Sequence, residues 1–388
     1  KGTSISEIDA VFQDQIKKGY IEEITDPDDI DREDCFYIPY FPVVDRSRPT
    51  TKVRVVFDAA AKTRNGSSLN SNIQKGPNRL QDLFSILLSF RKFEVALTAD
   101  ISEMFLQCRL SDEDRRYHRF WWNGRYWQWT RILFGNLSSP DISQKVLEVN
   151  AELYKDQFPH AAETITNYCY MDDAIRSVET VAEGISIVQE MDPLLSHADM
   201  KMRKFHSNKA EVLKVLPKEW LSAKVNFDKD EGSIFEPSKV LGIIWEANKD
   251  QFIFASKFKS DLDFIERQGI TDFKTWTKSL ILRLSATVFD PLGLISPFTV
   301  RSRKILQRLW QEELKWDDPI PERHDARWRQ WLTELFTESN LINIPRCLNF
   351  GKGKTISLHV FVDASTEVYA TVVFVRVAKV VDSRGVKE

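Results

Sequence analysis

Cysteine is scarce in this chain, and none of its four copies has a near neighbour. Cys35, Cys108, Cys169 and Cys347 form no C-x-x-C pair, which argues against a zinc site or a disulfide framework and makes a reducing compartment the expectation. No apolar run reaches the ~18 residues that a spanning helix needs, so no membrane partner is expected. The opening K-G-T-S-I-S-E has neither Met nor a basic-then-apolar leader, and the expectation is a fragment of a longer chain. A basic excess is missing too: the net charge is -3, so any attraction to a polyanion has to be local. What is present is ordinary globular material, 42% hydrophobic and 29% charged, and 388 residues exceed one core, so two or three domains are expected.

A local charge bias does exist. Residues 255–310 hold ten Lys/Arg against five Asp/Glu, including Arg301, Arg303, Lys304 and Arg308; a solvated helix face and a polyanion-binding wall explain it equally well. Patterning predicts α+β organisation first, helices second, strands again at the end. A helix is expected over 6–18, then an acidic turn and an extended arm through Pro39 and Pro42. The β-branched run from Lys52 to Phe57 reads as a strand. Helical spacing runs from Leu80 to Phe90, and 93–99 reads as a strand ending at Asp100. Residues 121–129 read as an aromatic hairpin around Asn123-Gly124. A helix is expected from Ser143 to Leu153 after Pro140, a strand from Thr164 to Tyr170, and its hairpin partner from Ile175 to Val178. Val178, Val181, Ile185, Val188 and Leu195 then step as one amphipathic helix face. Leu241–Trp245 and Phe252–Phe254 read as a second hairpin. Helices broken by prolines follow residue 255, and 356–362 and 369–375 return to strands.

The acidic residues carry the chemistry. Asp172 and Asp173 stand side by side after an apolar run, in N-Y-C-Y-M-D-D-A, and two such carboxylates repel by about 1 kcal/mol at 4 Å in water. A solvated hairpin turn is the bland explanation. Asp100, which closes the run V-A-L-T-A, is by itself an ordinary strand-ending residue. If the strands neighbour one another in an antiparallel sheet, however, three carboxylates converge, and divalent cations are the simplest way to neutralise them. In-line phosphoryl transfer fits such a cluster.

The tetrapeptide Tyr170–Asp173, Y-M-D-D, resembles the catalytic hairpin of reverse transcriptases. T-A-D-I-S-E-M-F (98–105) resembles their first palm motif, and L-F-G-N-L-S-S-P-D-I-S-Q (133–144) their template- and nucleotide-contacting motif, in the right order. K-V-R-V-V-F-D-A-A-A-K-T, L-N-S-N-I-Q-K-G-P, L-Q-D-L-F-S-I-L-L-S-F-R and F-D-P-L-G-L-I-S-P-F are similar to the Bel/Pao class of long-terminal-repeat retrotransposons, over roughly 35–380. H-V-F-V-D-A-S (359–365) resembles the first strand of the ribonuclease H domain that follows the polymerase.

The resemblance implies a right-hand polymerase with an antiparallel palm sheet: an N-terminal extension and fingers edge (1–50), fingers and palm (51–250), a mostly helical thumb or connection (251–348) and the first strands of a ribonuclease H-like domain (349–388). It implies RNA-directed DNA synthesis with two Mg2+ ions (or Mn2+), on an RNA template and a DNA or RNA primer, from dNTPs, within a retrotransposon polyprotein and in the cytoplasm inside a virus-like particle, or in the nucleus. Asp100, Asp172 and Asp173 would bind metal, with the carbonyl of Ile101 alongside. Phe105 would exclude a 2′-hydroxyl, and Arg54, Lys52, Phe134, Gly135 and Lys204 would contact the incoming nucleotide. Gln144, Tyr170, Met171, Leu241 and Gly242 would touch template, primer or palm. Asp363 alone represents the ribonuclease H acidic set, so hybrid cleavage is not expected. Ser102, Ser143, Phe205, the 197–200 segment and the extra charge of Asp141 depart from the commoner family wording.

Two alternatives stand beside this reading. A degenerate or domesticated module would bind nucleic acid without copying it. A Pao-type aspartic peptidase region would need D-T-G or D-S-G, and neither occurs; D-A-S at 363–365 lacks the glycine.

Overall fold

The computed structural model describes residues 5–46, 53–227, 234–254, 276–338 and 342–379. In chain order the elements are α1 (Ile5–Lys17), β1 (Ile21–Glu23), α2 (Pro27–Ile30), β2 (Tyr40–Val44), β3 (Val53–Phe57), α3 (Leu69–Asn72), α4 (Leu83–Phe90), β4 (Val95–Ile101), α5 (Met104–Gln107), α6 (Asp112–Arg115), β5 (Arg119–Trp122) and β6 (Arg125–Trp129). There follow α7 (Ser139–Tyr154), α8 (Pro159–Tyr168), β7 (Cys169–Tyr170), β8 (Asp173–Val178), α9 (Val181–Ser196), β9 (Met202–Ser207), α10 (Ala210–Leu213), β10 (Val225–Asn226), β11 (Ile234–Phe235), β12 (Ser238–Val240), β13 (Ile243–Glu246) and β14 (Gln251–Ile253). The last are α11 (Lys278–Thr287), α12 (Ser296–Gln311), α13 (Glu322–Glu338), β15 (Asn343–Pro345), β16 (Lys354–Ala364) and β17 (Tyr369–Lys379).

Two compact units emerge. The first comprises 1–81, 100–172 and 189–203, and the second 82–99, 173–188 and 204–388. The first is built on aromatic packing. Phe12 of α1 stacks on Phe120 at 5.3 Å, and Phe57 meets the rings of Phe120 and Trp129 edge-on at 5.1 and 5.2 Å. Sheet order here is β1-β6-β5. The β5–β6 turn places Asn123 and Gly124 at φ 49° and 74°, as a two-residue hairpin with right-handed twist demands.

In the second unit α11, α12 and α13 pack around Trp276, Trp328 and Trp331, the last two stacked at 4.9 Å. The ammonium of buried Lys278 lies 3.9 Å from the Trp310 ring centre and 5.0 Å from that of Trp316, a cation–π cage that offsets the loss of water. A second sheet has order β12-β13-β14-β15. Beside β15 the fully buried Arg346 gives Nε and Nη2 to the Asp250 carboxylate at 2.5 and 2.7 Å and Nη2 to the carbonyls of Phe93 and Glu94 at 2.9 Å. The pair is thus satisfied on both sides, the condition under which a buried charge is tolerated.

The strands that carry the acidic motifs form a sheet of order β7-β8-β4-β9. Along β4, Val95, Ala96, Leu97, Ala99 and Ile101 are buried, whereas Thr98 and Asp100 are half-buried. Strand alternation therefore turns Asp100 away from the face that Ile101 buries.

Several expectations need correcting. Residues 164–168 are helical, in α8, and only Cys169 and Tyr170 are strand. Pro159 starts that helix, and the carboxylate of Glu190 accepts from the N–H groups of His160 and Ala161 at 2.8 and 3.1 Å. The hydroxyls of Thr164 and Thr166 bond back to the carbonyls of His160 and Ala162, so β-branched residues that read as strand sit comfortably in a helix. Helix α7 begins at Ser139, not Ser143, and α4 begins after Asp82, whose carboxylate caps the N–H of Ser85. The acidic stretch contains the one-turn helix α2, with Pro27 at its start. Val178 ends β8 instead of opening α9. Leu241 is no strand residue: with Gly242 it forms the turn joining β12 to β13, at φ 44° and 91°. Lys52 and residues 255–275 lie outside the described residues. No helix among the described residues is long and apolar enough to cross a membrane.

Candidate active site

The turn Met171–Asp172 joins β7 to β8. Met171 adopts φ 55°, a left-handed conformation that costs a non-glycine residue about 1 kcal/mol or more. Strain of this kind persists where the surroundings over-determine it, and here two bonds do so. The side-chain amide of Gln144, from α7, donates to the Met171 carbonyl at 3.1 Å. The main-chain N–H of Ile101 donates to the carbonyl of Asp172 at 2.7 Å. This second bond sets the end of β4 against the turn, so Asp100 and Asp172 come from neighbouring backbone positions. Asp100, Asp172 and Asp173 are all half-buried.

Oxygen donors from carboxylates and main-chain carbonyls are the set that a hard divalent cation takes. Among the described residues no group of three or more His, Cys, Asp or Glu is placed to hold a metal. Asp100 and Asp172 carry the donor type that Mg2+ takes, which is one or two carboxylates together with water and substrate phosphates.

Past Asp100 the chain makes a second strained turn. Glu103 has φ 50° and precedes the single-turn helix α5, which carries Phe105. The buried Phe105 ring meets Phe134 edge-on at 4.5 Å, and Phe134 is 74% exposed. Gly135 has φ 98°, and a side chain there would come within 3.0 Å of the Phe57 carbonyl. This loop is held by residues to which the sequence assigned no role. Asn70 donates to the Gly135 carbonyl at 2.8 Å and accepts from the N–H of Leu137 at 2.9 Å. Asn136 bonds the ring of buried His118 at 2.6 Å. The L-N-S-N motif contains Asn70, but its long-range bonds leave no trace in local spacing.

Asp141 is the departure that threatened to repel a substrate. Its carboxylate is paired with the Arg79 guanidinium at 2.6 Å, and Arg79 also reaches Glu148 at 3.0 Å. The charge is neutralised by the loop that crosses it at Gly76.

The remaining candidates fall elsewhere. Arg54 is exposed on β3, opposite Val43 in register. Tyr170 ends β7, half-buried. In the second unit, Lys204 is exposed on β9 at φ 57°, and Gly242 lies against the Phe289 ring, which a side chain there would strike at 2.8 Å. Asp363 is exposed on β16, facing Ala370. Of the four cations singled out on α12, Arg301 is bonded to Glu334, and Lys304 and Arg308 to Glu367; Arg303 is exposed. Much of that basic face is therefore neutralised within the chain.

Residues 47–227 match the family described as reverse transcriptase (RNA-dependent DNA polymerase), and residues 277–387 match the Pao retrotransposon-like RNaseH-like domain. No curated protein matches the chain. Among solved structures, the foamy viral protease-reverse transcriptase dRH in complex with double-stranded DNA superposes with a TM-score of 0.61 at 16% identity, covering 98% of this chain and 57% of that one. The foamy viral protease-reverse transcriptase in complex with an RNA/DNA hybrid gives 0.54 at 16% identity, over 96% and 44%. Its complex with double-stranded DNA gives 0.56 at 18% identity, over 96% and 67%. The likeness shows a shared fold, of which this chain spans little more than half the length of the first of these relatives. A reverse transcriptase domain followed by a Pao-type RNaseH-like domain places the chain among the reverse transcriptases of Pao-class (Bel/Pao) retrotransposons.

Proposed function

We propose that the chain is an RNA-directed DNA polymerase that extends a primer 3′-hydroxyl with dNTPs on an RNA template. The observation that carries this reading is the 2.7 Å bond from the Ile101 N–H to the Asp172 carbonyl, because it sets the two carboxylate-bearing segments together at an accessible turn. Asp100 and Asp172 would hold divalent cations, with Ile101 lending its carbonyl and Asp173 adding negative charge beside them. Bound there, Mg2+ or Mn2+ would supply a lowered pKa for the attacking hydroxyl and neutralisation of the departing pyrophosphate.

Each further residue has a role in keeping with its place. The Phe105 edge would close the space where a ribose 2′-hydroxyl would lie, and Phe134 offers an exposed ring for a sugar or base to stack on. Gly135 lets backbone come close to the nucleotide. The Arg54 guanidinium, exposed on β3, can take phosphate oxygens bidentately, with Lys52 and Lys204 as further phosphate contacts. Gln144 would act through the turn by fixing the Met171 carbonyl, and the Leu241–Gly242 turn would bear on the primer. Residues 51–250 would serve as fingers and palm, 251–348 as thumb or connection, and 349–388 as the start of a ribonuclease H-like domain. Double-stranded DNA and an RNA/DNA hybrid bound by the foamy viral proteins support a nucleic-acid duplex as the partner.

Primer extension on an RNA template with Mg2+ tests the reading. Wild-type chain is expected to extend and Asp172→Asn to fail. Equal extension by both, or none by wild type, overturns it.

A further inference from the structure

The residues around Phe105 are fastened to a part of the chain that precedes the reverse transcriptase match at 47–227. The Tyr20 hydroxyl donates to the Glu103 carboxylate at 3.0 Å and accepts from the side-chain amide of Gln107 at 2.9 Å. Those two residues flank and end α5, the single turn that carries Phe105. One hydroxyl therefore grips both ends of that turn. Lys18 gives Glu103 a second anchor at 2.8 Å, and Arg131 donates to the Gln107 carbonyl at 3.0 Å.

The grip has a rigid origin. Tyr20 is buried, its carbonyl accepts from the N–H of Thr130 at 2.9 Å, and the next residue, Ile21, pairs with Trp129 in the β1–β6 ladder. Burial keeps the phenol protonated, above its ordinary pKa, so the hydroxyl remains a donor. Partial burial disfavours the charge on Lys18, but the bonds to Asp14 and Glu103 outweigh it and hold the ammonium above its usual pKa. Glu103 needs such anchors. It stands in the left-handed region without being glycine, and an isolated turn of helix has almost no stability of its own.

We propose that Tyr20 is a positioning residue for sugar selection: by holding Glu103 and Gln107 it fixes α5, and so fixes the Phe105 ring where it bars a ribonucleotide. The proposal rests on the polymerase reading above. Losing the hydroxyl leaves the aromatic ring and its packing in place, leaves the Glu103 carboxylate to Lys18 alone among the anchors named, takes from the Gln107 amide its acceptor on Tyr20, and lets the Phe105 turn shift.

Tyr20→Phe is the test, with Tyr126→Phe on the outer face of β6 as the control. Two measurements are made on the full chain. Amide hydrogen exchange over residues 101–108 is expected to speed up in Tyr20→Phe and not in Tyr126→Phe, with an unchanged global unfolding midpoint. The ratio of kcat/KM for dNTP over rNTP is expected to fall between about threefold and tenfold, the range for one lost hydrogen bond. Glu103→Gly, which keeps the left-handed backbone and removes the anchored side chain, is expected to lower the same ratio. Unchanged exchange in Tyr20→Phe overturns the grip whether or not the chain extends primers. Faster exchange with an unchanged ratio, or equal losses toward both sugars, overturns the role in selection. A wild-type chain that extends no primer overturns the polymerase reading instead, and the sugar role with it.

Discussion

The main-chain N–H of Ile101 and the carbonyl of Asp172 are 2.7 Å apart, across seventy-one residues of sequence. Neither atom belongs to a reactive side chain, yet their bond sets the segment that carries Asp100 against the turn that carries Asp172. Because successive residues of a strand face opposite ways, Ile101 can be wholly buried while Asp100 stays on the accessible side. The core residue supplies the anchor, and its neighbour supplies the charge.

The proposed site predicts unequal roles for the carboxylates. Asp100→Asn and Asp172→Asn are expected to lower kcat by on the order of a thousandfold, the scale of losing several kcal/mol of charge stabilisation. Asp173→Asn, one residue past the anchored carbonyl, is expected to lose less. Single-turnover extension over a range of Mg2+ checks this, and a loss from Asp173→Asn as large as that from Asp172→Asn would remove the distinction.

A loop glycine can be tested without any activity assay. Gly76 has φ 75°, and a side chain there would meet the Asp141 carboxylate at 2.3 Å. Gly66 has φ 83° with nothing within 4 Å. Both alanine variants carry the left-handed penalty of about 1–2 kcal/mol, but only Gly76→Ala also displaces the Arg79–Asp141 pair. Denaturant unfolding is expected to show Gly76→Ala less stable than Gly66→Ala; equal midpoints would mean that the loop yields freely.

Sequence patterning conveyed what is local and periodic. The Asn123-Gly124 hairpin, the strand ending near Asp100 and the α7 helix, with Pro140 in its first turn, all rest on short-range preferences, and the Y-M-D-D turn stands out by its resemblance. Long-range bonds stayed hidden. Asn70 holding Gly135, Arg79 neutralising Asp141 and Tyr20 gripping Glu103 join residues more than sixty positions apart. The 164–168 segment misled for a different reason: threonine favours strands on average, but its hydroxyl can bond back to the preceding turn of a helix, and in α8 both do.

Arg346 is the sharpest case of a residue that spacing cannot reveal. Its guanidinium is fully buried and joins Asp250 to the turn between α4 and β4. Arg346→Met would take the guanidinium from the carbonyls of Phe90, Phe93 and Glu94 and leave the Asp250 carboxylate to the Trp245 indole N–H at 3.0 Å, and breaking a buried pair from one side costs about 3–5 kcal/mol. Arg346→Lys is expected to recover little, because an ammonium cannot reproduce the planar fork. Urea unfolding of the two variants checks this; a loss under about 1 kcal/mol in Arg346→Met would show the site to be solvated.

His206 sets a pH dependence whose sign is fixed by its surroundings. The imidazole is buried, edge-on to Trp245 and Phe235 at 5.2 and 5.8 Å. Burial, aided by the nearby positive charge of Lys224, lowers its pKa from 6.5 to about 4. The unfolded chain therefore takes up a proton below pH 6.5 that the folded chain refuses until about pH 4. Stability from this group is complete above pH 6.5 and falls as pH drops through that window, by up to about 3 kcal/mol. His206→Phe removes the proton uptake and keeps a ring between Trp245 and Phe235. The variant is expected to lose less stability than wild type between pH 7 and pH 5, and parallel pH profiles of the two unfolding free energies would show that His206 titrates normally in the fold.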